Sequence, residues 1–311
     1  MIQADLITGF LGSGKTTFLT EYATYFSKQG LRVAVIVNDH GAINVDKIFL
    51  EEALKDSCHL EMVIGGDRDC SMRRLKTKLI AMGMEKYDRV IVEPSGVFDA
   101  EDFFDLLYDE PLERWYEPGC VVAIVDSKMD KNVSEESGYL IASQVSKAGI
   151  VVVSKSEDGE EAKEKEETLS FINGELERFG CKRKIDDCFI WKRGKISDDD
   201  FKMISESGHR SDDMIRLPIS EGSGFETVFY FNPGKNRAEI KEIINRLFND
   251  PDAGKIHRIK GFVKEDSAWS EVNAVSGNIS IKPAGMGQDL FIVIGENINK
   301  DHIDLIFNGK G

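Results

Sequence analysis

The chain has 311 residues, enough for one large domain or two ordinary ones, and with 41% hydrophobic and 31% charged residues it reads as a globular protein with a sizeable core. Its formal net charge is -15, which repels phosphate backbones and anionic lipid and so excludes nucleic acid and membrane from the expected partners. No apolar run approaches the length of a bilayer span. Residues 1–8 hold one acid and no basic cluster, and the five cysteines (Cys58, Cys70, Cys120, Cys181, Cys188) are odd in number and scattered, so a reduced, cytoplasmic protein without a leader is the expectation.

Short apolar runs occur at Ile2–Thr8, Arg32–Val37, Leu60–Ile64, Arg89–Val92, Val121–Val125 and Ile150–Val153. Several are continuously apolar, as strands covered on both faces should be. Between them lie helix-like stretches at 16–28, 71–82, 100–108, 134–147 and 160–179. The last opens on the charge-dense run Glu160–Glu167, where Glu161 and Lys165 pair at i, i+4, and continues with Leu169, Ile172, Leu176 and Phe179 at helical spacing. Regular alternation of strand and helix predicts an α/β fold with a doubly wound, mostly parallel sheet, whose ligands sit at the C-terminal ends of its strands. The basic residues Lys182, Arg183, Lys184, Lys192, Arg193 and Lys195 flank an apolar segment and read as a solvated face. Residues 205–224 are small and polar and predict a linker. Beyond it, strands at 225–231, 256–263, 268–275, 278–282 and 290–294, with helices at 237–248 and 300–307, predict a small α+β domain. The expected division is therefore 1–204, 205–224 and 225–311.

The first apolar run leads into Gly9-Phe-Leu-Gly-Ser-Gly-Lys-Thr-Thr17, which fits the phosphate-binding loop pattern G-x-x-x-x-G-K-T. Glycines allow successive backbone N–H groups to face the phosphates, Lys15 adds a charge for the β- and γ-phosphates, and Thr16 offers a hydroxyl to Mg2+. Gly12, Ser13, Gly14, Lys15, Thr16 and Thr17 are thus the candidate phosphate site, reinforced by the positive end of the helix that begins there. A second acid is needed near the metal at another strand end. Val90-Ile91-Val92-Glu93-Pro94-Ser95-Gly96 supplies Glu93, with the Gly96 N–H placed to sense the γ-phosphate. A third element should read the base. After the strand at 150–153 come Ser154, Lys155, Ser156 and Glu157, where a carboxylate can accept the paired N–H donors of guanine and a lysine stem can pack on the ring.

Taken together these motifs resemble the CobW-like metallochaperone GTPases, relatives of UreG and HypB. Gly9–Thr17 matches the family's opening loop, Asn38-Asp39-His40-Gly41 stands for its Asn-Glu-Phe-Gly-like switch, and Glu93–Gly96 is its Glu-x-x-Gly element. Val121–Asp126 and Gln144 also fit, and 225–307 resembles its C-terminal domain. The resemblance implies a SIMIBI-like G domain that binds GTP with Mg2+ held through Thr16 and Glu93. It implies slow hydrolysis with Lys15, Glu93 and Asp39 at the reaction, a switch over 39–46, and delivery of a transition metal or metal cofactor to a client protein. GTP and GDP, a client and a homodimer are the partners it implies.

Three departures qualify this. The family's Cys-x-Cys-Cys is here Gly66-Asp67-Arg68-Asp69-Cys70. That stretch reads as a harder metal site of Asp67, Asp69 and Cys70, as a retired site with Asp69 or Ser71 capping the next helix, or as a switch using Arg68 or Arg73. In the base-reading motif Ser154 and Glu157 replace Asn and Asp, so GTP stands beside ATP or relaxed specificity. The linker carries one histidine, His209, where many members are His-rich. The alternative function is a nucleotide-gated adaptor or activator of a client enzyme, without metal transfer.

Overall fold

A computed structural model describes residues 1–39, 45–54, 57–64, 68–217, 225–265, 268–285 and 287–307. The chain falls into two compact units, the first made of Met1–Ala42 and Phe49–Ile219 and the second of Ser220–Gly311 together with Ile43–Ile48.

In the first unit seven strands form one parallel sheet in the order β3-β2-β4-β1-β5-β6-β7. They are β1 (Ile2–Thr8), β2 (Val33–Asp39), β3 (His59–Ile64), β4 (Arg89–Glu93), β5 (Tyr116–Asp126), β6 (Ile150–Ser154) and β7 (Phe189–Ile190). The helices are α1 (Lys15–Lys28), α2 (Val45–Leu54), α3 (Arg68–Glu85), α4 (Ala100–Leu107), α5 (Glu135–Lys147), α6 (Glu161–Arg178) and α7 (Asp198–Ser205). The doubly wound α/β expectation therefore holds. Strands β1, β4, β5 and β6 are apolar on both faces because both faces are covered. Ile7, Ile91, Val122 and Val152 pack with Phe18, Leu19 and Tyr22 of α1, Leu50 of α2, and Phe201 of α7. Their neighbours Leu6, Val92, Val121 and Val151 are equally buried. Among the described residues no helix is long and apolar enough to cross a membrane.

One buried acid shapes the sheet. Asp5 lies in the middle of β1, fully buried, and the β1–β5 register shifts beside it. Its Oδ1 accepts the Cys120 N–H at 2.8 Å, which the shifted ladder leaves without a strand partner. Its Oδ2 accepts from Arg89 at the start of β4 and from the Tyr22 hydroxyl at 3.0 Å. Burial raises the Asp5 pKa, and the Arg89 guanidinium works against that rise. A paired buried charge is weak as a stabiliser but costly to break, because truncation strands its partner. Asp5→Ala should lower unfolding free energy by about 3–5 kcal/mol, read from urea midpoints, because Arg89 would remain mostly buried without its carboxylate.

Several boundaries differ from expectation. β5 begins at Tyr116, well before the apolar run at 121, because its first residues still pair with Ile2–Ala4. α7 is an unexpected helix, started by a capping box in which Ser197 and Asp200 satisfy each other's backbone donors. Of the expected linker 205–224, residues 205–217 run along the first unit. Gly208 O accepts the Val121 N–H at 2.9 Å, and His209 bridges Ala148. The Ile215 N–H donates to Phe179 O at 2.8 Å. Arg216 donates to Asp102 at 2.8 Å and to Asp105 at 3.1 Å. Small polar composition signalled solvent, but here the backbone and one arginine do the anchoring. Residues 218–224 lie outside the described residues.

The second unit is an antiparallel sheet in the order β11-β10-β9-β12-β8. Its strands are β8 (Phe225–Phe231), β9 (Lys255–Glu265), β10 (Ala268–Val275), β11 (Asn278–Ala284) and β12 (Leu290–Glu296), with helices α8 (Arg237–Asn249) and α9 (Lys300–Phe307). Ile240, Ile244 and Leu247 of α8 and Ile303, Ile306 and Phe307 of α9 pack with Val228, Ile259, Val272, Phe291 and Val293. This is the expected small α+β arrangement.

Candidate functional site

The phosphate loop joins β1 to α1 across residues 9–14. Its shape needs glycine where the backbone comes closest: a Cβ on Gly9, at φ +145°, would lie 2.2 Å from Ile124 O. Gly12 and Gly14 also take positive φ. Ser13 is buried, and its hydroxyl has no hydrogen-bond partner among the described residues. Lys15 is 6% exposed, and its ammonium folds over the loop to donate to Gly9 O at 2.8 Å and Phe10 O at 3.2 Å. Thr17 is half-buried in the first turn of α1.

The Thr16 hydroxyl donates to Glu93 Oε1 at 2.7 Å. Glu93, 5% exposed at the end of β4, is thereby brought to the first turn of α1. A hydroxyl and a carboxylate at a helix start are the hard oxygen donors that Mg2+ takes, so the two residues fit that ion. Beyond Glu93 the chain hugs the phosphate loop: a Cβ on Gly96 would lie 2.6 Å from Leu11 N. Gln144, buried in α5, fixes this segment by donating from Nε2 to Gly96 O and Phe98 O, each at 3.2 Å. Asp99 continues the anchor. It caps α4 through the Glu101 N–H at 3.0 Å and accepts from the Tyr139 hydroxyl at 2.8 Å.

The three expected base-reading residues separate. Ser154 is buried and donates to Ser13 O at 2.6 Å, so it ties β6 to the phosphate loop. Lys155, at φ +58°, donates to Asp126 Oδ2 at 2.7 Å. Glu157 carries a side chain 68% exposed, 3.2 Å from Lys128 Nζ. Next to them stands a wall that sequence reading missed. Trp191, just after β7, packs edge-on against Phe18 at 5.4 Å between ring centroids and comes within 3.3 Å of where a Gly14 Cβ would be. Glu21 of α1 accepts from Trp191 Nε1 at 3.4 Å and from the Gly194 N–H at 2.9 Å. Lys192 pairs with Asp158 and Glu161. Its ammonium holds the Glu161 carboxyl down at about 2, and Asp158 below its ordinary range. A tryptophan closing the apolar run Phe189-Ile190, directly before Lys192 and Arg193, was the available signal.

Asp39 ends β2, paired in register with Ile64; its side chain and residues 40–44 lie outside the described residues. So does Asp67. α3 begins at Arg68, earlier than the expected 71, which places Asp69 and Ser71 inside the helix and not at its cap. Asp69 is exposed there and Cys70 half-buried. Among the described residues no disulfide is present.

Gln144→Ala would leave two buried carbonyls, Gly96 O and Phe98 O, without their donor. The expected cost is about 1–3 kcal/mol in urea unfolding, with faster amide exchange confined to the 95–99 backbone.

Comparison with known proteins gives the same picture from outside. Residues 3–179 match the CobW/HypB/UreG nucleotide-binding domain. Zinc chaperone YeiR of Escherichia coli is 29% identical over 160 residues, 50% of this chain and 47% of its own. Zinc chaperone YjiA of the same organism is 29% identical over 182 residues, 55% of each. The chain thus spans about half the length of the curated relatives it matches. Among solved structures, Zn(II)-bound YjiA GTPase from E. coli aligns over 100% of this chain and 99% of that one, at 15% identity and a TM-score of 0.42. HypB from Helicobacter pylori in complex with nickel aligns over 66% and 84%, at 13% identity and a TM-score of 0.41. The family match covers more than half of the chain and falls on the strands, loops and helices that build the phosphate site: this chain belongs to the CobW/HypB/UreG nucleotide-binding domain family.

Proposed function

We propose that this protein is a Mg2+-dependent GTP-binding switch with slow hydrolysis, which assists insertion of a transition metal or metal cofactor into a client protein. The observation that carries the reading is the convergence of Lys15, Thr16 and Glu93 on one loop, with Thr16 and Glu93 in direct contact at 2.7 Å. Family membership supports the same use of that loop. Relatives named as zinc chaperones favour zinc as cargo.

In this scheme the N–H groups of 12–17 bind the phosphates, and Lys15 exchanges its two carbonyl partners for phosphate oxygens. Mg2+, held through Thr16 and Glu93, would supply positive charge to the β- and γ-phosphates. Glu93 and Gly96 lie on one short segment that Gln144 and Asp99 anchor to α5 and α4, so a γ-phosphate at Gly96 has a fixed frame to push against. Asp39 and the following loop are the proposed switch. Slow turnover is part of the proposal, since among the described residues none is assigned as an arginine finger or a water-orienting group. Glu157 is the proposed guanine acceptor, its side chain solvent-facing and paired with Lys128, with Lys155 held by Asp126 as the ring support. We place the protein in a reducing, cytoplasmic setting, with 225–311 as the client-facing domain. Asp67, Asp69 and Cys70 remain a candidate metal loop. The second reading, an adaptor without metal transfer, is favoured by one observation: Asp69 is a solvent-facing helix residue where the family pattern has a thiolate.

Titrating GTP and ATP against the purified protein tests the scheme. GTP should bind more tightly, and Lys15→Ala should weaken it by roughly a hundredfold or more, given the loss of the phosphate-loop lysine. Glu157→Ala should narrow the GTP-over-ATP preference by roughly tenfold, the usual worth of a charged hydrogen-bond acceptor. Wild-type hydrolysis by Lys15→Ala would overturn the mechanism, and metal delivery that proceeds without nucleotide would overturn the switch.

A further inference from the structure

The second unit contains a cluster that the nucleotide chemistry does not use. Asp250 and Asp252 lie in the turn that follows α8, and His302 lies in the first turn of α9. Each offers one ligand atom, and the three atoms lie within 4.8 Å of one another. We propose that Asp250, Asp252 and His302 form a binding site for a borderline divalent transition-metal ion, zinc foremost.

Backbone geometry outside the His302–Asp250 pair holds the two halves together. The Asn299 N–H donates to Ala253 O at 3.2 Å, which staples the start of α9 to the turn. Gly254 packs so closely that a Cβ there would lie 2.3 Å from Asn297 O. Asn299 Oδ1 accepts the His302 N–H at 3.2 Å, fixing the backbone from which the imidazole projects. Asp250 Oδ1 accepts the Asp252 N–H at 3.1 Å, fixing the spacing of the two acids. The donor atoms therefore meet on a frame already set, as a metal site requires.

A plain ion pair accounts for only part of this. His302 Nε2 lies 2.9 Å from Asp250 Oδ2, and that contact explains two of the three residues. Asp252 adds a second carboxylate beside the first, which raises like-charge repulsion that a divalent ion would reverse. One imidazole nitrogen with two carboxylate oxygens suits zinc, nickel or cobalt better than all-oxygen Mg2+ or a thiophilic ion. Asp252 is exposed, so the site opens to solvent. Three protein ligands leave a position for water or an incoming ligand, the pattern of exchangeable sites and not of closed structural ones. Use of that open position to hand metal to a client rests on the metal-delivery reading above; binding itself does not.

The test uses the full-length, metal-stripped protein titrated with Co2+ and then Zn2+. One equivalent of Co2+ should give visible d–d absorption that Zn2+ abolishes, and Zn2+ should raise the melting temperature. His302→Gln and Asp252→Asn should each weaken Zn2+ by about tenfold or more, at least the effect of losing an outer-shell partner. Asp252→Asn removes an exposed carboxylate, so its metal-free melting temperature should equal that of wild type and its loss of zinc cannot be ascribed to misfolding. Cys70→Ser should leave this site intact. Lys15→Ala should lose nucleotide while keeping zinc here, which separates failure of the switch from failure of the site. Unchanged zinc affinity in both Asp252→Asn and His302→Gln overturns the proposal, as does zinc lost only in Cys70→Ser or the absence of any Co2+ or Zn2+ binding.

Discussion

The hydrogen bond from Thr16 to Glu93 is the contact on which the nucleotide site depends, and it is a product of sheet topology. β1 and β4 are parallel neighbours, with Leu6 opposite Val92. Two strands in that register end at the same edge, so the residue after β1's loop and the last residue of β4 must meet, although 77 positions separate them. The strand order turns outward on both sides of β1, through β4 to β2 and β3 and through β5 to β6 and β7. The phosphate loop therefore lies at the switch point where an open parallel sheet leaves a crevice. The buried Asp5–Arg89 pair couples the same two strands four residues before the loop begins. It links β1 and β4 to α1 through Tyr22, so the strands and the helix that position Lys15 and Thr16 are tied at both ends.

How much of this was legible from residues alone follows from what each signal depends on. Continuous apolar runs are set by burial on both faces, a demand that acts residue by residue, and so β1, β4 and β6 could be placed closely. The first residues of β5 are polar or conformationally odd, Tyr116-Glu-Pro-Gly119, and are strand only because β1 already offers an edge. No local pattern carries that information. α7 did have a local signal in its Ser197–Asp200 capping box, obscured by the charge run that follows the cap. The stretch 205–217 is the clearest case of tertiary override. Its composition is that of a linker, yet Gly208 completes backbone pairing left open by β5, and Arg216 answers acids at the start of α4.

The site divides the same way. The phosphate-loop pattern is local, so it could be read without knowledge of the fold. Gln144 was noticed only for its position before the base-reading strand, whereas its contact is with Gly96 and Phe98, 48 and 46 positions away. Ser154 was read as facing the base because it occupies a base-reading position. Its hydroxyl donates to Ser13 O, a contact 141 positions away that no local pattern signals. That bond ties β6 to the phosphate loop.

Ligand chemistry would give the two proposed cation sites a reason to stay distinct. Thr16 and Glu93 offer only oxygen, the set that small hard ions accept and that borderline metals have no special cause to choose. The turn at 250–252 adds an imidazole to its carboxylates, which raises affinity for zinc-like ions far more than for magnesium. A protein that must hold Mg2+ with its nucleotide in the presence of a more competitive metal gains from placing nitrogen at only one of the two sites. The single thiol of the 67–70 stretch, Cys70, would act in the same direction, because soft metal is held best by several thiolates. Segregation by donor atom would then be enough for each ion to select its own proposed site.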